Sequence, residues 1–127
     1  MNDNIGQRKT QQREIIFDII KDAHGPVTVN EILDEAVSRG IQVGIATVYR
    51  TVKLLLNSEK IRSVTLPDGQ SRYESAELKH HHHFHCTDCG TVIDIHQCCM
   101  HLHDDEIEGH LIKIHEITLF GLCKNCR

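Results

Sequence analysis

The feature of this sequence that most constrains its fold is a pair of Cys-x-x-Cys motifs, formed by Cys86 with Cys89 and by Cys123 with Cys126. Each motif can present two thiolates to one ion, and four thiolates at about 2.3 Å complete a tetrahedral zinc site. Such a closed site leaves no position for a substrate, so the motifs predict structural Zn2+. The alternative is a pair of disulfides, which we disfavour because no signal peptide is recognisable.

Composition divides the chain into two parts near Lys79. Of the 127 residues, 14 are Lys or Arg and 18 are Asp or Glu, a formal net charge of −4. Residues 1–79 carry 11 basic and 11 acidic side chains, whereas residues 80–127 carry 3 and 7, with ten of the 11 histidines. This break predicts two domains, 1–79 and 80–127. The apolar runs are too short to span a bilayer, so we expect a soluble, cytoplasmic protein with no membrane partner.

Apolar periodicity in the first part predicts three helices. Apolar residues recur at helical spacing over residues 10–23, where Thr10 is a candidate N-cap, then over 29–38 and over 45–58. Gly-Pro ends the first pattern, Gly40 ends the second, and a glycine opens the third. Three short helices joined by tight turns are typical of a helix-turn-helix core.

Short strands dominate the remainder of the chain. Patterns at 61–66 and 71–74 flank Pro-Asp-Gly-Gln and predict a β-hairpin, which in this position is the wing of a winged helix. In the second part, residues 91–95 and 112–120 look like strands and 98–109 like a helix. The predicted fold class is therefore α+β, an N-terminal winged helix-turn-helix domain followed by a small α/β unit.

The start of the third helix carries side chains suited to DNA. Recognition helices place base and phosphate contacts near the N-terminus, where this chain has Thr47, Tyr49 and Arg50. Arg50 suits guanine or phosphate, and Tyr49 suits a thymine methyl group or phosphate. The alternative interpretation is a set of ordinary solvated side chains. Further basic residues that could contact the DNA backbone are Arg8, Lys9 and Arg13.

Four consecutive histidines precede the first cysteine motif. In a strand, successive side chains alternate between faces, so His81 and His83 would point one way and His80 and His82 the other. One strand could therefore serve two metal sites. Neutral imidazole binds zinc, iron, nickel and manganese alike, so the ligand type does not select the metal. Further candidate ligands for these two sites are Glu74, Asp94, His101 and His115.

From about Arg8 to its end, the chain resembles the ferric uptake regulator (Fur) family of bacterial metalloregulators. The resemblance is carried by Arg-Lys-Thr-Gln-Gln-Arg from Arg8, Ala-Thr-Val-Tyr-Arg from Ala46, Arg-Tyr-Glu from Arg72, the histidine run and both cysteine motifs. It implies a homodimer, with an N-terminal winged helix and a C-terminal dimerisation domain. It also implies a transcriptional repressor that binds a palindromic operator in double-stranded DNA once metal closes the two domains.

The resemblance implies three sets of ligands. The structural zinc set is Cys86, Cys89, Cys123 and Cys126. The regulatory set at the hinge between domains is Glu74, His81, His83 and Asp94. The additional set is His80, His82, His101 and His115, with His101 standing where many relatives have glutamate.

One position departs from the family. Relatives commonly supply a regulatory histidine immediately before the residue that matches Val27, where this chain has Pro26, which cannot ligate. His24 lies two residues earlier and is a possible substitute, or a solvated histidine at a helix end.

The ligand types indicate a branch of the family. Zinc sensors usually place a cysteine in the regulatory set, and none falls between Glu74 and His83, which favours iron or peroxide sensing with Fe2+ or Mn2+ bound. Asp94 resembles the peroxide branch and Glu74 the iron branch. We interpret the vicinal pair Cys98 and Cys99 as two half-buried cysteines of a helix. The alternative is a redox site or an extra metal site.

Two rival functions come from other classes. A metalloenzyme would need a general base and a substrate pocket, and the sequence has no nucleophile motif or Gly-rich phosphate loop, so we expect no enzymatic activity and no small-molecule substrate. A zinc-stapled interaction module that only buffers metal would not need Arg50. Zinc or nickel sensing remains the alternative within the family.

Overall fold

The structure is a computed structural model that describes residues 2–97 and 106–127, with side chains from Lys9 onward. It divides into two compact units, Met1–Leu78 and Lys79–Arg127. No helix among the described residues is long and apolar enough to cross a membrane.

The first unit contains three helices and a hairpin: α1 Asn2–Asp22, α2 Val29–Ser38, α3 Ile45–Asn57, β1 Ile61–Thr65 and β2 Ser71–Ser75. This order confirms the predicted winged helix-turn-helix domain. The predicted start of the first helix was wrong. Thr10 lies inside α1 and accepts a hydrogen bond from the Arg13 guanidinium at 3.4 Å.

Helix α2 begins at a capping box that the sequence analysis did not identify. The Thr28 hydroxyl accepts a hydrogen bond from the Glu31 backbone N–H, and the Glu31 carboxylate accepts one from the Thr28 N–H. The helix ends before Gly40, whose φ of +80° is the left-handed conformation that favours glycine. These signals fix the two ends of α2, the first helix of the helix-turn-helix.

The apolar faces of α1, α2 and α3 meet in one core, which also contacts β1. Because Ile32 and Ala36 lie one turn apart on α2, both are fully buried, while Val37 on the neighbouring face is 59% exposed. The buried members of the core are Ile16, Ile19, Ile20, Val29, Ile32, Ala36, Val48, Val52, Leu55 and Ile61. This core supports the exposed face of α3.

The wing is an antiparallel hairpin with a braced turn. Ile61 pairs with Ser75 and Thr65 with Ser71. At the turn, the guanidinium of Arg72 forms two hydrogen bonds of 2.9 Å to the Asp68 carboxylate. Such a two-point pair between planar groups fixes orientation as well as distance. The turn of the wing is therefore held by side chains as well as by the backbone.

The described part of the second unit contains five short strands: β3 His82–Cys86, β4 Val92–Ile95, β5 Glu106–Ile107, β6 His110–Leu111 and β7 Thr118–Gly121. The first, second and last of these form one sheet in the order β4-β3-β7. In it, β3 pairs antiparallel with β4 and parallel with β7. The predicted strand at 91–95 is confirmed by β4, and the α+β fold class is confirmed.

Two predicted elements of the second unit were wrong in part. Residues 106–111, which overlap the predicted helix at 98–109, form a two-stranded hairpin whose turn places Gly109 at a φ of +84°. Residues 98–105 lie outside the described part. The strand predicted for 112–120 is strand only from Thr118, because only there does the chain pair with β3. Similarly, the first two histidines of the run precede β3 rather than lying in it.

Candidate metal centres and nucleic-acid interface

The sheet topology brings the two cysteine motifs together. Strands β3 and β7 run parallel and side by side, so their carboxyl ends meet, with Cys86 opposite Gly121 in register. Each strand leads directly into one motif. As a result, candidate ligand atoms of the four cysteines all lie within 4.8 Å of one another, which gives the cluster Cys86, Cys89, Cys123 and Cys126.

The sulfur spacing fits a tetrahedral zinc ion. The Sγ atoms of Cys89 and Cys123 are 3.9 Å apart, whereas ligands at about 2.3 Å from a tetrahedral centre lie about 3.8 Å apart. No disulfide joins these four cysteines, so the disulfide alternative is disfavoured. The four-cysteine cluster of the predicted fold is present and fits a structural zinc site.

Backbone donors prepare one thiol of the cluster for ligation. The Cys123 backbone N–H donates to the Cys86 Sγ at 3.4 Å. This hydrogen bond, with a second from the Cys89 backbone, lowers the pKa of Cys86 to about 6 although burial opposes the shift. By contrast, hydrogen bonding with the Cys123 side chain raises the pKa of Cys126. Cys86 is therefore the thiol best prepared to ligate as a thiolate.

A second cluster joins β4 to the segment around β3. Asp94 pairs with His83 across the two strands. Its Oδ1 lies 3.6 Å from His81 Nε2 and 3.7 Å from His83 Nε2, and the His81 and Asp94 side chains are largely buried. These distances are too long for hydrogen bonds and close to the roughly 3.4 Å that separates ligands about 2.1 Å from a tetrahedral ion. The three side chains thus fit a shared cation.

A hydrogen bond on the far side of the His81 ring sets its tautomer. The His81 Nδ1 lies 2.7 Å from the carbonyl oxygen of Lys79. Because a carbonyl only accepts, Nδ1 must carry the hydrogen, and a neutral ring then points the Nε2 lone pair toward Asp94. Metal-ligating histidines typically donate their second ring N–H in this way. The Lys79 carbonyl is a functional group that sequence reasoning could not identify, since it is a backbone atom.

Glu74, the predicted carboxylate ligand of the first unit, lies on β2 directly opposite Arg62. Its side chain is 2% exposed, and its Oε2 accepts hydrogen bonds from Arg62 Nη2 at 2.9 Å and Nε at 3.3 Å. The guanidinium compensates the buried carboxylate charge and holds its Oε2 atom in place. The role of Arg62 was not predicted from the sequence. It could have been, because the predicted hairpin places this basic residue opposite Glu74 as a cross-strand pair.

The third cluster consists of His80, His82 and His115, whose candidate ligand atoms lie within 4.8 Å of one another. Burial, followed by the charges of His80 and His115, lowers the pKa of His82, which favours the neutral ring. The Nδ1 of that ring accepts the Ile117 backbone N–H at 3.2 Å, so the neutral ring carries its hydrogen on Nε2. Ligation through Nε2 would require a change of tautomer, so this cluster is less prepared for a cation than the Asp94 cluster.

Of the remaining metal-related predictions, only His24 lies among the described residues, and it joins no cluster there. His24 is exposed and Pro26 is buried beside the bridge between Val27 and Tyr73. His101, Cys98 and Cys99 lie outside the described residues. Among the described residues of the first unit, no group of three metal-binding side chains forms from that unit alone.

A basic groove lies between α1 and α3 in the first unit. Its volume is about 310 Å³, and three of its lining side chains are cationic, Lys9, Arg13 and Arg50. The Arg50 guanidinium donates to the Thr47 hydroxyl at 3.2 Å, which holds both groups at the start of α3. The other described lining residues are Gln12, Thr47, Thr51 and Leu54. Sequence reasoning anticipated the basic residues but not Gln12, whose side chain donates to the Gln42 carbonyl in the turn before α3.

Tyr49 lies on α3 beside the groove and is 58% exposed. On that side it lines a mostly apolar hollow together with Lys53 of α3 and Tyr73 of the wing. A large exposed aromatic side chain carries a hydration cost that contact with a base or sugar would relieve. The exposed part of α3 therefore presents a guanidinium, a hydroxyl and a phenol to any partner whose surface has a groove that admits the helix.

Comparisons with known proteins agree with this architecture. The model of the ferric uptake regulator family matches residues 4–120. A ferric uptake regulation protein of Rhizobium leguminosarum is 32% identical over 120 residues, covering 92% of this chain and 84% of the relative. A zinc uptake regulation protein of Mycobacterium tuberculosis is 30% identical over 132 residues, covering 96% of each. Among solved structures, a zinc-bound manganese uptake regulator gives a TM-score of 0.71 at 29% identity, covering 88% of this chain and 87% of that one.

Proposed function

Because the chain belongs to the ferric uptake regulator family, we propose that it is a metal-dependent repressor that binds palindromic operators in duplex DNA as a homodimer. The observation that carries the proposal is the convergence of His81, His83 and Asp94 on one point, with separations suited to a cation. The basic groove beside α3 supplies the surface that the cation would control.

Two kinds of contact would hold DNA. Lys9 and Arg13 present positive charge along the groove and suit phosphates, which position a protein without reading sequence. Arg50 and Tyr49 lie at the exposed start of α3 and suit base edges in the major groove. The formal net charge of −4 means that affinity depends on this local charge distribution, and we expect it to fall as salt rises.

We assign Glu74 to the same ligand set as His81, His83 and Asp94, as the resemblance implies. Glu74 belongs to the winged-helix unit and the other three to the second unit, so one ion shared by all four would couple the two units. A bound cation supplies positive charge that offsets the two carboxylates and allows both imidazoles to remain neutral. It shifts the units toward the DNA-binding arrangement only to the extent that it binds that arrangement more tightly.

The donor set favours Fe2+ or Mn2+ as the regulatory ion, with iron or peroxide as the signal. Two imidazoles and two carboxylates contain no thiolate, the ligand type that selects zinc most strongly. Zinc sensing is the second candidate, because the zinc uptake regulation protein of M. tuberculosis is similar over nearly the whole chain. Zn2+ at the four cysteines has a separate, structural role.

The proposed function is tested by using Mn2+-loaded protein to select duplexes from a random library. Each duplex has about 30 base pairs, which is long enough for two half-sites. The binding of the selected duplexes is then measured by gel shift. Metal-dependent binding of a palindromic sequence is the expected result. Arg50→Ala should weaken binding about tenfold or more, since one good contact to a base contributes about 1–3 kcal/mol. Arg39→Ala is the matched control, because Arg39 is an exposed arginine at the end of α2 that pairs with Glu35.

His81→Ala should leave the protein folded and remove the dependence of DNA binding on Mn2+. His110→Ala, which removes an exposed histidine of the same unit, should change neither. Unchanged metal dependence in His81→Ala would disprove the regulatory site. Equal DNA affinity of Arg50→Ala and Arg39→Ala would favour the rival role of a metal-buffering module.

A further inference from the structure

His96 is a histidine that the proposed function does not use, although it lies beside the regulatory cluster. It follows the last residue of β4 and is exposed. Its ring centroid lies 6.2 Å from that of His81, with the two rings inclined at 40°. The same measure between His81 and His83, which share a face, is 4.9 Å.

Strand register explains why His96 lies near His81. In the β3–β4 pair, His83 stands opposite Asp94 and His82 opposite Ile95. His81 and His96 each lie one residue beyond the paired strands, and continuing the same antiparallel register by one step sets them opposite each other. The His81 and His83 rings both approach Asp94, and the His96 ring lies 6.2 Å from that of His81, so the four side chains lie on one side of the strand pair. The four side chains form a two-by-two patch at the end of one strand pair.

We propose that His96 is a further ligand of the regulatory cation, so that residues 79–127 alone supply three imidazoles and one carboxylate. This inference rests on the proposed function, because it concerns the same ion. Directly opposed residues in an antiparallel pair have Cβ atoms about 5 Å apart, within reach of a shared ion for two histidines.

The distances permit this ligation with a small movement. Imidazoles that bind one ion at about 2.1 Å have ring centroids about 4.6 to 5.3 Å apart at bond angles of about 90 to 110°. The 6.2 Å separation of the His96 and His81 rings exceeds that range by about 1 Å, and an exposed side chain at the end of a strand can close the gap by changing rotamer at little cost. By contrast, His81 is held by the Lys79 carbonyl and supplies the fixed point.

With Pro26 unable to ligate, a third imidazole for this ion has to come from another position. The family resemblance implies a histidine of the winged-helix unit at the position of Pro26. The proline side chain has no atom that can ligate a metal. His96 would supply the third imidazole to the regulatory ion from the second unit. Because His96 lies on the same unit as His81, its ligation raises metal affinity without itself connecting the units, whereas Glu74 provides that connection.

This division of roles predicts two different defects. His96→Ala should weaken metal affinity but leave the gain in DNA affinity at saturating Mn2+ nearly unchanged. Glu74→Gln should reduce that gain even at saturating metal. A loss of DNA binding in His96→Ala that saturating Mn2+ does not restore would contradict the assigned role.

The inference is tested with Co2+ as a spectroscopic probe of the full-length, zinc-containing chain. All variants carry His115→Ala, which removes a donor of the His80–His82–His115 cluster. We expect His96→Ala to weaken Co2+ affinity, measured by chelator competition, about tenfold or more and to shift the visible absorption bands of the bound ion. His110→Ala, the control with another exposed histidine, should remain within about twofold of the parent.

Each outcome decides between the hypotheses. If His96→Ala matches His110→Ala in affinity and spectrum, or weakens affinity without a spectral change, His96 is not a ligand. If His81→Ala nevertheless loses Co2+, the proposed function stands without this inference. If neither His81→Ala nor His96→Ala alters Co2+ binding, the regulatory site itself is wrong, and the proposed function fails with it.

Discussion

The two units of this chain are stabilised by different means. Among the described side chains of Met1–Leu78, ten buried apolar ones from three helices and β1 form one continuous core. In the described part of Lys79–Arg127, the buried apolar residues are Val92 and two of the four clustered cysteines. Several large apolar side chains of that unit, such as Ile114 and Phe120, are more than half exposed. In the second unit, candidate metal ligands are therefore buried where the first unit buries apolar core residues.

The size of the second unit explains the difference. It contains 49 residues (127 − 78), fewer than the roughly 70 to 80 below which a single apolar core rarely provides sufficient stability. Structural metal is one common compensation, because the free energy of ion binding becomes free energy of folding. The exposed apolar side chains would be covered in the proposed homodimer. Metal should therefore affect the two units unequally.

The largest expected effect is loss of the second unit on removal of structural zinc. Cys123→Ser, or prolonged exposure to a strong chelator, removes a ligand or the ion from a cluster with little apolar support. Unfolding of residues 79–127 is expected, because structural zinc sites contribute about 10 kcal/mol or more. NMR amide signals should collapse for this unit and persist for the winged helix.

The matched control is Asn125→Ser, which changes a residue between the two cysteines of the same motif and removes no thiolate. That variant should keep the ion and the fold. Simultaneous loss of both units in Cys123→Ser would show that the winged helix depends on the second unit for its stability, contrary to the comparison above.

The next largest effect is expected in the core of the first unit. Ile32 is fully buried, so Ile32→Ala should reduce the free energy of unfolding of that unit by about 2–5 kcal/mol. Val37→Ala is the control on the same helix, where 59% exposure predicts a change within about 0.5 kcal/mol. Urea denaturation followed by far-UV circular dichroism measures both. Similar losses for the two variants would contradict the assigned packing of α2.

A smaller effect is expected at Arg62, which links the stability of the wing to the proposed sensor. Arg62→Gln removes the guanidinium from a buried carboxylate and should destabilise the first unit by about 1–2 kcal/mol, a value reduced by the 45% exposure of Arg62. It should also weaken Mn2+-dependent DNA binding, because Glu74 loses its orientation. Arg39→Gln, which breaks an exposed pair, should do neither. If DNA binding by Arg62→Gln depended on Mn2+ as in the parent protein, Arg62 would have no role in metal sensing.

The smallest effect is expected at the start of α2. Thr28→Ala removes the hydroxyl that caps the helix and should cost about 1 kcal/mol. Thr28→Ser retains the hydroxyl and should cost much less. Thermal unfolding of the first unit distinguishes the two, and equal melting temperatures would show that the capping box contributes little.

Local signals predicted the first unit better than the second. Helix α2 could be predicted because its apolar residues recur at helical spacing and Gly40 marks its end. The start of α1 could not, because Thr10 is an acceptable N-cap by residue type, and the chain before it continues the helix. Cap residues are thus informative only where the preceding segment cannot be helical.

The second unit depends on contacts between residues far apart in the chain. The parallel pairing of β3 with β7 determines how much of the segment 112–120 is strand, and no local pattern encodes that pairing. Likewise, the hydrogen bond from Ile117 to His82 spans 35 residues and changes how the additional cluster can bind metal. The grouping of the histidines into two sets could nevertheless be predicted, because alternation depends only on adjacent residues.

The central claim is that an ion held by His81, His83 and Asp94 in the second unit controls DNA binding by the first. Thermodynamic linkage tests it most directly, by measuring the affinity of the full-length chain for Mn2+ with and without the selected operator duplex. We expect the operator to tighten Mn2+ binding by the same factor by which Mn2+ tightens operator binding, about 5- to 150-fold for typical coupling. An Mn2+ affinity that the operator leaves unchanged would contradict the claim.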